Sequence, residues 1–372
     1  MKITIFTDVE SLERERACWD QVAGDRSFCR FSWLMNWYQA MRAQYDQIHV
    51  LVAMDDQENW LGVAPLFISG GKLRLLGSGN ACTDYAGPFS SLEPESHKKF
   101  LELVSDYLAD SIRLGGPLED VDSIELEGCS KLDESADYLD ELLSAHGFVQ
   151  HETETEGTWK VLLPDSFDQL NATFSKSMKR KTKAARKRLA ADDTRVEFTT
   201  RQSFETHWSQ FEALHQKRRR FLGQPGCFAD GNFAVFLKGA VRELLDASLA
   251  EMLFVYKNDC PISTVLLLKS DNVCMMYQSG LDPDYASVEP GYQTNLAAIQ
   301  YAINNGFKYF DFLRGDEPYK ARWSTSREPL VRRKYVPRKF KSQIIHGTWV
   351  IGRSIKSYMA GFRTSNGMPS SN

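Results

Sequence analysis

The chain has 372 residues, of which 42% are hydrophobic and 25% charged, so it can bury a sizeable core and form two domains of ordinary size. The amino terminus turns acidic and polar before a signal-peptide core can form, and no apolar run approaches the ~20 residues that cross a bilayer. We therefore expect a cytoplasmic protein without a membrane span. The seven cysteines and seven histidines are dispersed without ligand spacing, which predicts reduced cysteines and no metal site.

The net charge of −4 conceals an asymmetry between the two halves. Residues 1–164 carry 13 Lys and Arg against 29 Asp and Glu, a balance of −16, whereas residues 165–372 carry 32 against 20, a balance of +12. This contrast predicts a boundary near residue 164. It also predicts that the second half meets an anionic partner, with part of the attraction internal to the chain.

The first half is predicted to mix helices and strands, from its hydrophobic periodicity. We expect helices at 8–22, 31–41, 95–113 and 133–145, and strands at 2–7, 48–54, 60–68, 72–78, 122–128 and 158–164. The helix at 31–41 is rich in aromatic residues, with Trp33 and Trp37 one turn apart.

The second half nearly repeats this order. We expect helices at 166–190, 203–221, 230–246, 291–305 and about 338–362, and strands at 195–200, 250–257, 260–269, 272–280, 308–313 and near 329–336. The repetition predicts two tandem copies of one mixed α/β unit, at 1–164 and 165–338, followed by a C-terminal helix (339–363) and a disordered tail (364–372). A single large α/β sheet is the alternative.

Two features of the second half, a run of cations and a helix amino terminus, predict an anion site. The run "SKSMKRKTKAARKRL" holds eight Lys or Arg between 176 and 188 and no acid, on a surface helix. Its partner could be a nucleotide, a phosphorylated glycan carrier, RNA or the acidic first half. In addition, "SVEPGYQ" opens the helix at 291, whose free N–H groups suit phosphate, although Pro and Gly also serve as ordinary capping residues.

One acid stands inside an apolar strand, in "YFDFLRGDEPYKARW" at 309–323. Alternation places Asp311 on a face with Phe307, Tyr309 and Leu313, where an unpaired carboxylate would cost several kcal/mol. The residues alone leave two interpretations open: an ion pair with Arg314, Lys320 or Arg322, or a functional carboxylate.

Several motifs together resemble one family. They are "FSWLMNWYQA", "GVAPL", "LLGSGNACTDYAGP", "MKRKTKAARKRL", "FEALHQKRRRFLGQPGCFAD", "YQSGLDPDYASVEPG" and "FDFLRGDEPYKARW". They are similar to signatures of GNAT-superfamily acyltransferases of the CelD/BcsL (BioF2-like) type, distant relatives of the Fem aminoacyltransferases. The resemblance spans roughly residues 28–335 and implies two tandem GNAT-like domains.

The resemblance implies transfer of an acyl group to an amine of a sugar or amino-acid-like acceptor, in exopolysaccharide or envelope synthesis. Acyl-CoA is the expected co-substrate, and no covalently bound cofactor is expected. The usual GNAT pyrophosphate loop is absent, however, so aminoacyl-tRNA and an acyl carrier protein stay open as donors. A tRNA-dependent aminoacyltransferase and an inert GNAT-like accessory protein are the alternatives.

The same resemblance suggests a role for individual residues. Asp311, or failing it Glu317 or Asp84, is the expected base, and Tyr319 the acid or oxyanion donor. Arg314 with Lys320 is expected to bind an anionic group. Further substrate contacts are expected from Tyr85, Trp37, His215 and Arg219. The donor is expected at Gly291, Tyr292 and Gln293.

Overall fold

The computed structural model describes residues 1–43, 46–113 and 115–339. The expected C-terminal helix and tail lie outside these residues, except for Lys339. The strands are β1 (Lys2–Phe6), β2 (Gln47–Ile48), β3 (Val50–Met54), β4 (Trp60–Ala64), β5 (Leu66–Ser69), β6 (Lys72–Leu75), β7 (Phe89–Ser90), β8 (Ser123–Ser130), β9 (Val149–Leu162), β10 (Thr194–Phe198), β11 (Ala250–Lys257), β12 (Cys260–Ser270), β13 (Val273–Leu281), β14 (Tyr309–Arg314) and β15 (Ser326–Val336).

The helices alternate with these strands. They are α1 (Val9–Arg14), α2 (Arg16–Ala23), α3 (Phe31–Met41), α4 (Pro94–Ile112), α5 (Glu134–Ala145), α6 (Phe167–Thr173), α7 (Lys176–Leu189), α8 (Phe204–Phe221), α9 (Gly231–Asp246), α10 (Pro290–Asn304) and α11 (Lys320–Trp323). The predicted mixed α/β class is confirmed. Within the described residues, no helix is both long enough and apolar enough to span a membrane.

Several elements differ from prediction for local reasons. The helix expected at 166–190 is two helices, because Phe174 is extended and the Ser175 hydroxyl caps a new helix by accepting from the Met178 N–H at 3.3 Å. The strand expected at 60–68 breaks at Pro65, which has no N–H to donate. Strand β9 begins at Val149, well before the apolar stretch at 158, because its polar residues pair with β15.

The two halves share one sheet. Eleven strands lie in the order β10-β11-β12-β13-β14-β9-β15-β8-β6-β5-β2, beside a second sheet ordered β1-β3-β4-β7. Strand β9 of the first half pairs with β14, and β15 of the second half pairs with β8. The halves have therefore exchanged their last strands, so the chain boundary near 164 does not divide the sheet.

This exchange has approximate two-fold symmetry about the β9–β15 pair. On one side β13 and β14 are parallel and joined by α10, and on the other β6 and β8 are parallel and joined by α4. One apolar core also spans the halves: the Trp33 ring lies 5.0 Å from both the Phe236 and Tyr277 rings. The symmetry explains the repeated order of elements in the sequence.

Candidate active site

The second unit has an opening in its sheet between β13 and β14. The two strands pair only from Val273–Met275 with Tyr309–Asp311, and then separate. Tyr277 is an extra residue in the pairing of β13 with β12, a bulge that bends β13 at this point. Within the described residues, no strand pairs with the β14-facing edge of β13 beyond Met275, so that edge offers backbone hydrogen-bonding groups to a ligand.

A kink at the end of β14 keeps the two strands apart. Leu313 takes a left-handed conformation with φ 56°, and its N–H donates to Asp311 Oδ1 at 2.8 Å. From the other side, Lys320 Nζ donates to the carbonyls of Leu313 at 3.3 Å and Arg314 at 2.5 Å. Because Leu313 reverses the backbone, the strict alternation expected across Asp311, Leu313 and Arg314 does not hold.

Asp311 is fully buried behind this opening. Its Oδ2 accepts from the Tyr85 hydroxyl at 2.5 Å, and that hydroxyl also lies 2.7 Å from Thr158 Oγ1. Burial raises the pKa of Asp311 to about 7, and the Tyr85 hydrogen bond opposes the rise. Neither Asp311 nor Tyr85 lines the cavities described below, so the structure gives Asp311 a position from which it shapes the backbone.

A second buried carboxylate, Asp84, holds the residue that follows the kink. Its Oδ2 accepts from the Arg314 N–H at 2.9 Å and its Oδ1 from Arg314 Nε, while Arg314 Nη2 donates to the Thr83 carbonyl at 3.1 Å. Burial raises the pKa of Asp84, and the guanidinium opposes that rise.

Arg314 and Lys320 were expected to bind an anionic group, but both cations already have partners inside the protein. Lys320 is 4% exposed and also pairs with Glu317 Oε2 at 2.9 Å. Arg314 is committed to Asp84, a fully buried partner. Both cations thus brace the kink. Both also line the loop-side cavity described below, so their contact with an anionic group stays a prediction.

Two cavities open on either side of this region. The loop-side cavity, about 480 Å³, is lined by Asp84, Gln278 and Arg314 among others, and the helix-side cavity, about 530 Å³, by Thr264, Gly291 and others. Five residues line both, and they are Arg219, Met276, Ser279, Glu317 and Tyr319. The two cavities therefore meet at these side chains, beside the free edge of β13.

Tyr319 and Glu317 are suited to proton transfer at this junction. Burial, together with the nearby Glu317 carboxylate, raises the pKa of Tyr319, so its hydroxyl remains protonated at neutral pH. The Glu317 side chain is 51% exposed and faces both cavities. Arg219 hydrogen-bonds Gln224 Oε1 at 2.9 Å and lines both cavities, as its predicted substrate contact requires.

The start of α10 forms one wall of the helix-side cavity. Gly291 and Tyr292 line it, as their predicted contact with the donor requires, but Gln293 does not. The Gln293 side chain is 1% exposed and donates to the Val288 carbonyl at 2.9 Å. Its expected contact with the donor is therefore corrected: it braces the turn before the helix.

Two other predicted substrate residues lie in the core. Trp37 is 6% exposed and packs on Phe67 with ring centroids 5.2 Å apart. His215 is 1% exposed, burial lowers its pKa to about 4, and its Nε2 lies 3.6 Å from Cys227 Sγ. Neither lines the two cavities, so the structure does not bring them to the site.

The corresponding opening of the first unit is filled by its own loop. The Ala86 N–H donates to the Gly128 carbonyl of β8 at 3.1 Å, and a Cβ on Gly128 would lie 2.2 Å from the Thr83 carbonyl oxygen. Loop 77–88 thus covers the edge of β8 beyond its pairing with β6. The corresponding strand of the second unit, β14, faces the opening at this position. The same loop delivers Asp84 and Tyr85 to Arg314 and Asp311.

Sequence reasoning missed the residues of β12 and β13 that line the cavities, among them Thr264, Tyr277, Gln278 and Ser279. They lie in apolar strands whose pattern indicates only a core. The signal that could have found them is the parallel strand pair flanking a helix, because parallel strands that diverge expose backbone groups between them.

Comparison with known proteins identifies the type of this domain. Residues 176–321 match the family model described as an acetyltransferase (GNAT) domain. That range contains both strands of the opening and the helix between them. Residues 176–321 thus form a GNAT-type acetyltransferase domain, and the predicted enzyme class, an acyltransferase, is confirmed. No curated protein sequence matches it.

Solved structures share the fold across most of the chain. FemX superimposes with a TM-score of 0.62 at 13% identity, covering 93% of this chain and 100% of FemX. L-PGS from Bacillus licheniformis has a TM-score of 0.53 at 11% identity, covering 93% and 97%. The C-terminal domain of a putative lysylphosphatidylglycerol synthetase from Agrobacterium fabrum has 0.53 at 10%, covering 90% and 94%.

Proposed function

We propose that the chain moves an acyl group from acyl-CoA to a primary amine, with the donor in the helix-side cavity and the amine in the loop-side cavity. The observation that carries this proposal is the meeting of the two cavities at Tyr319 and Glu317, beside the free edge of β13. A donor lying along that edge can hydrogen-bond to it as an added strand would.

Acyl transfer needs a base, an oxyanion donor and an acid, and groups at the junction of the two cavities can fill these three roles. The Glu317 carboxylate accepts a proton from the attacking amine, and the nitrogen bonds to the thioester carbon. The resulting oxyanion accepts a hydrogen bond from a free N–H of β13, a contribution on the order of 3 kcal/mol. The carbon–sulfur bond then breaks, and the Tyr319 hydroxyl donates its proton to the departing thiolate.

Asp311 and Asp84, which the sequence also offers as bases, are assigned positioning roles in this proposal. Asp311 fixes the left-handed Leu313, and Asp84 fixes the Arg314 that follows. The motifs of CelD/BcsL type support an amino sugar or amino-acid-like acceptor, in exopolysaccharide or envelope synthesis.

Replacing Tyr319 tests the proposal. Tyr319→Phe removes the proton donor and keeps the ring, and we expect turnover to fall by about 10². The assay is thiol release from acetyl-CoA with a panel of amino sugars and amino acids. Tyr309→Phe is the matched control, because Tyr309 lines neither cavity. Equal turnover in wild type and Tyr319→Phe would remove Tyr319 from the mechanism.

A second candidate function, transfer from an aminoacyl-tRNA, is favoured by one face of α7. Five cations lie along that face, all exposed and without an ion pair among the described residues: Lys176, Lys179, Arg180, Lys183 and Lys187. The stripe is about 16 Å long at 1.5 Å per residue, which suits several phosphates.

Binding to tRNA at two salt concentrations tests this candidate. Wild type should bind tRNA ~10²-fold or more tightly in 50 mM than in 200 mM salt, and changing the five cations to Gln should flatten that dependence. Absent or salt-insensitive binding counts against the tRNA reading and leaves the acyl-CoA proposal intact.

A further inference from the structure

The residue before α10 places a carboxylate at the wall of the helix-side cavity. Glu289 has a left-handed backbone, with φ 50° and ψ 58°. Its Oε1 lies 3.0 Å from Lys181 Nζ and its Oε2 accepts from Arg188 Nη1 at 2.9 Å. The Glu289 side chain is 34% exposed and lines the cavity, so it can rotate away from Lys181 and Arg188 without a change in the backbone.

This position favours negative charge but offers few backbone donors. The partial positive charge at the start of the 15-residue α10 favours an anion there. Pro290, however, has no N–H, and the Tyr292 N–H already donates to the Glu289 carbonyl at 3.0 Å. The hydrogen bonds from Arg188 and Lys181 lower the pKa of Glu289, so the protein's own carboxylate supplies the anion.

A second observation points to a ligand in the same cavity. Thr264 on β12 is fully buried and lines the helix-side cavity, yet its hydroxyl has no hydrogen-bond partner within the part of the chain described. Buried hydroxyls are nearly always paired, so a free one that lines a cavity leaves a hydrogen-bonding position for a ligand or a water molecule. An oxygen-rich group entering from the α10 side would satisfy it.

Helix α7, whose Lys181 and Arg188 pair with Glu289, carries more positive charge than its ion-pair partners neutralise. Of the cations on α7, Lys181 and Arg188 share the single Glu289 carboxylate, and Arg186 pairs with Asp168. The five cations of the exposed face add to this positive potential. A more highly charged anion than a carboxylate is therefore attracted to Lys181 and Arg188.

We propose that Lys181 and Arg188 form a binding site for a pyrophosphate or phosphodiester group, which Glu289 occupies in the free chain and which the incoming phosphate takes over. Lys181 lines the neighbouring cavity, which shares Tyr292 and Trp323 with the helix-side cavity. The inference rests on the proposed function, because Glu289 lines the cavity that is assigned to the donor. It replaces the expected contact of phosphate with backbone N–H groups at 291–293 by a contact with two side chains of α7.

Binding of inorganic pyrophosphate and of coenzyme A to the full chain, measured by calorimetry, tests this site. Glu289→Gln removes the competing charge, and we expect both ligands to bind about tenfold more tightly. Lys181→Gln, with Arg188→Gln as a second variant, should weaken both by about tenfold. Lys308→Gln, an exposed lysine that lines neither cavity, should match wild type. Thermal unfolding checks that each variant is folded.

Each outcome decides a different point. If folded Glu289→Gln binds pyrophosphate and coenzyme A no more tightly than wild type does, the phosphate site is overturned. If that variant still binds coenzyme A tightly, the assignment of the helix-side cavity to the donor stands. Pyrophosphate responding as expected without any coenzyme A binding would keep the site and reject acyl-CoA. A short single-stranded RNA following the same order of variants would identify RNA as the phosphate source. No binding of any probe to any variant overturns both proposals.

Discussion

Asp311 shows how one side chain can be diagnostic in the sequence and yet act through the backbone. An acid in an apolar strand must be neutral or hydrogen-bonded, and Asp311 is fully buried with hydrogen bonds at both oxygens. One of those bonds fixes Leu313 at φ 56°, which turns β14 away from β13. The carboxylate is thus tied to the opening and lines neither cavity.

The raised pKa of Asp311 predicts a specific dependence of stability on pH. With a pKa near 7 when folded and about 4 when unfolded, the folded chain binds the extra proton between these values. The contribution of Asp311 to stability therefore falls as pH rises through that window and is constant above it.

Asp311→Asn removes this titration while its amide oxygen can still accept from Leu313. We expect the variant to gain stability relative to wild type between pH 5 and pH 8, by on the order of 2 kcal/mol, measured from urea unfolding at both values. A difference between the two proteins that is the same at pH 5 and pH 8 would show that Asp311 does not titrate in this range.

The sequence predicted the importance of Asp311 but not its partners. Tyr85 lies 226 positions away in a loop of the first half, and only the exchange of strands between the halves brings it to Asp311. Similarly, the cations at 314 and 320 were visible, but whether they face a ligand or a carbonyl depends on the kink at Leu313. A prediction from periodicity assumes a regular strand, and β14 is irregular at Leu313, next to the cavities.

At the scale of elements, loop 77–88 and strand β8 decide which opening of the sheet is free. The loop covers the edge of β8 and contributes Asp84 and Tyr85 to the other unit. Gly128 permits this close approach, because it has φ +77° and no Cβ to strike the Thr83 carbonyl oxygen. The sequence made Asp84 a candidate base and Tyr85 a candidate substrate contact, whereas the structure gives both residues a partner inside the protein.

Gly128→Ala tests this contact. A Cβ 2.2 Å from backbone oxygen cannot be accommodated without moving the loop, so we expect a loss of about 2–4 kcal/mol in the free energy of unfolding. Gly87→Ala, in the same loop with open space around its Cβ, should change stability by less than about 0.5 kcal/mol. Equal melting temperatures for the two variants would show that the loop does not depend on this approach.

At the scale of the whole molecule, two related units share a sheet and a core, and among the described residues the free opening lies in the second unit. The repeated order of elements was visible in the sequence, because it follows from local hydrophobic periodicity. The exchange of β9 and β15 was not, since strand partners distant in the chain leave no local signal. Loop 77–88 of the acidic first half thus holds β14 of the second unit in place and fills the corresponding opening of the first unit.

Calorimetric titration of acetyl-CoA into the full chain tests whether the opening of the second unit holds the donor. We predict one binding site per chain. Ala286→Trp, at an exposed position lining the helix-side cavity, should weaken binding at least about tenfold by steric exclusion. Ser287→Trp, its exposed neighbour outside the cavity, should bind as wild type does. Two sites per chain, no binding to wild type, or equal binding by the two tryptophan variants would contradict a single donor site in the helix-side cavity.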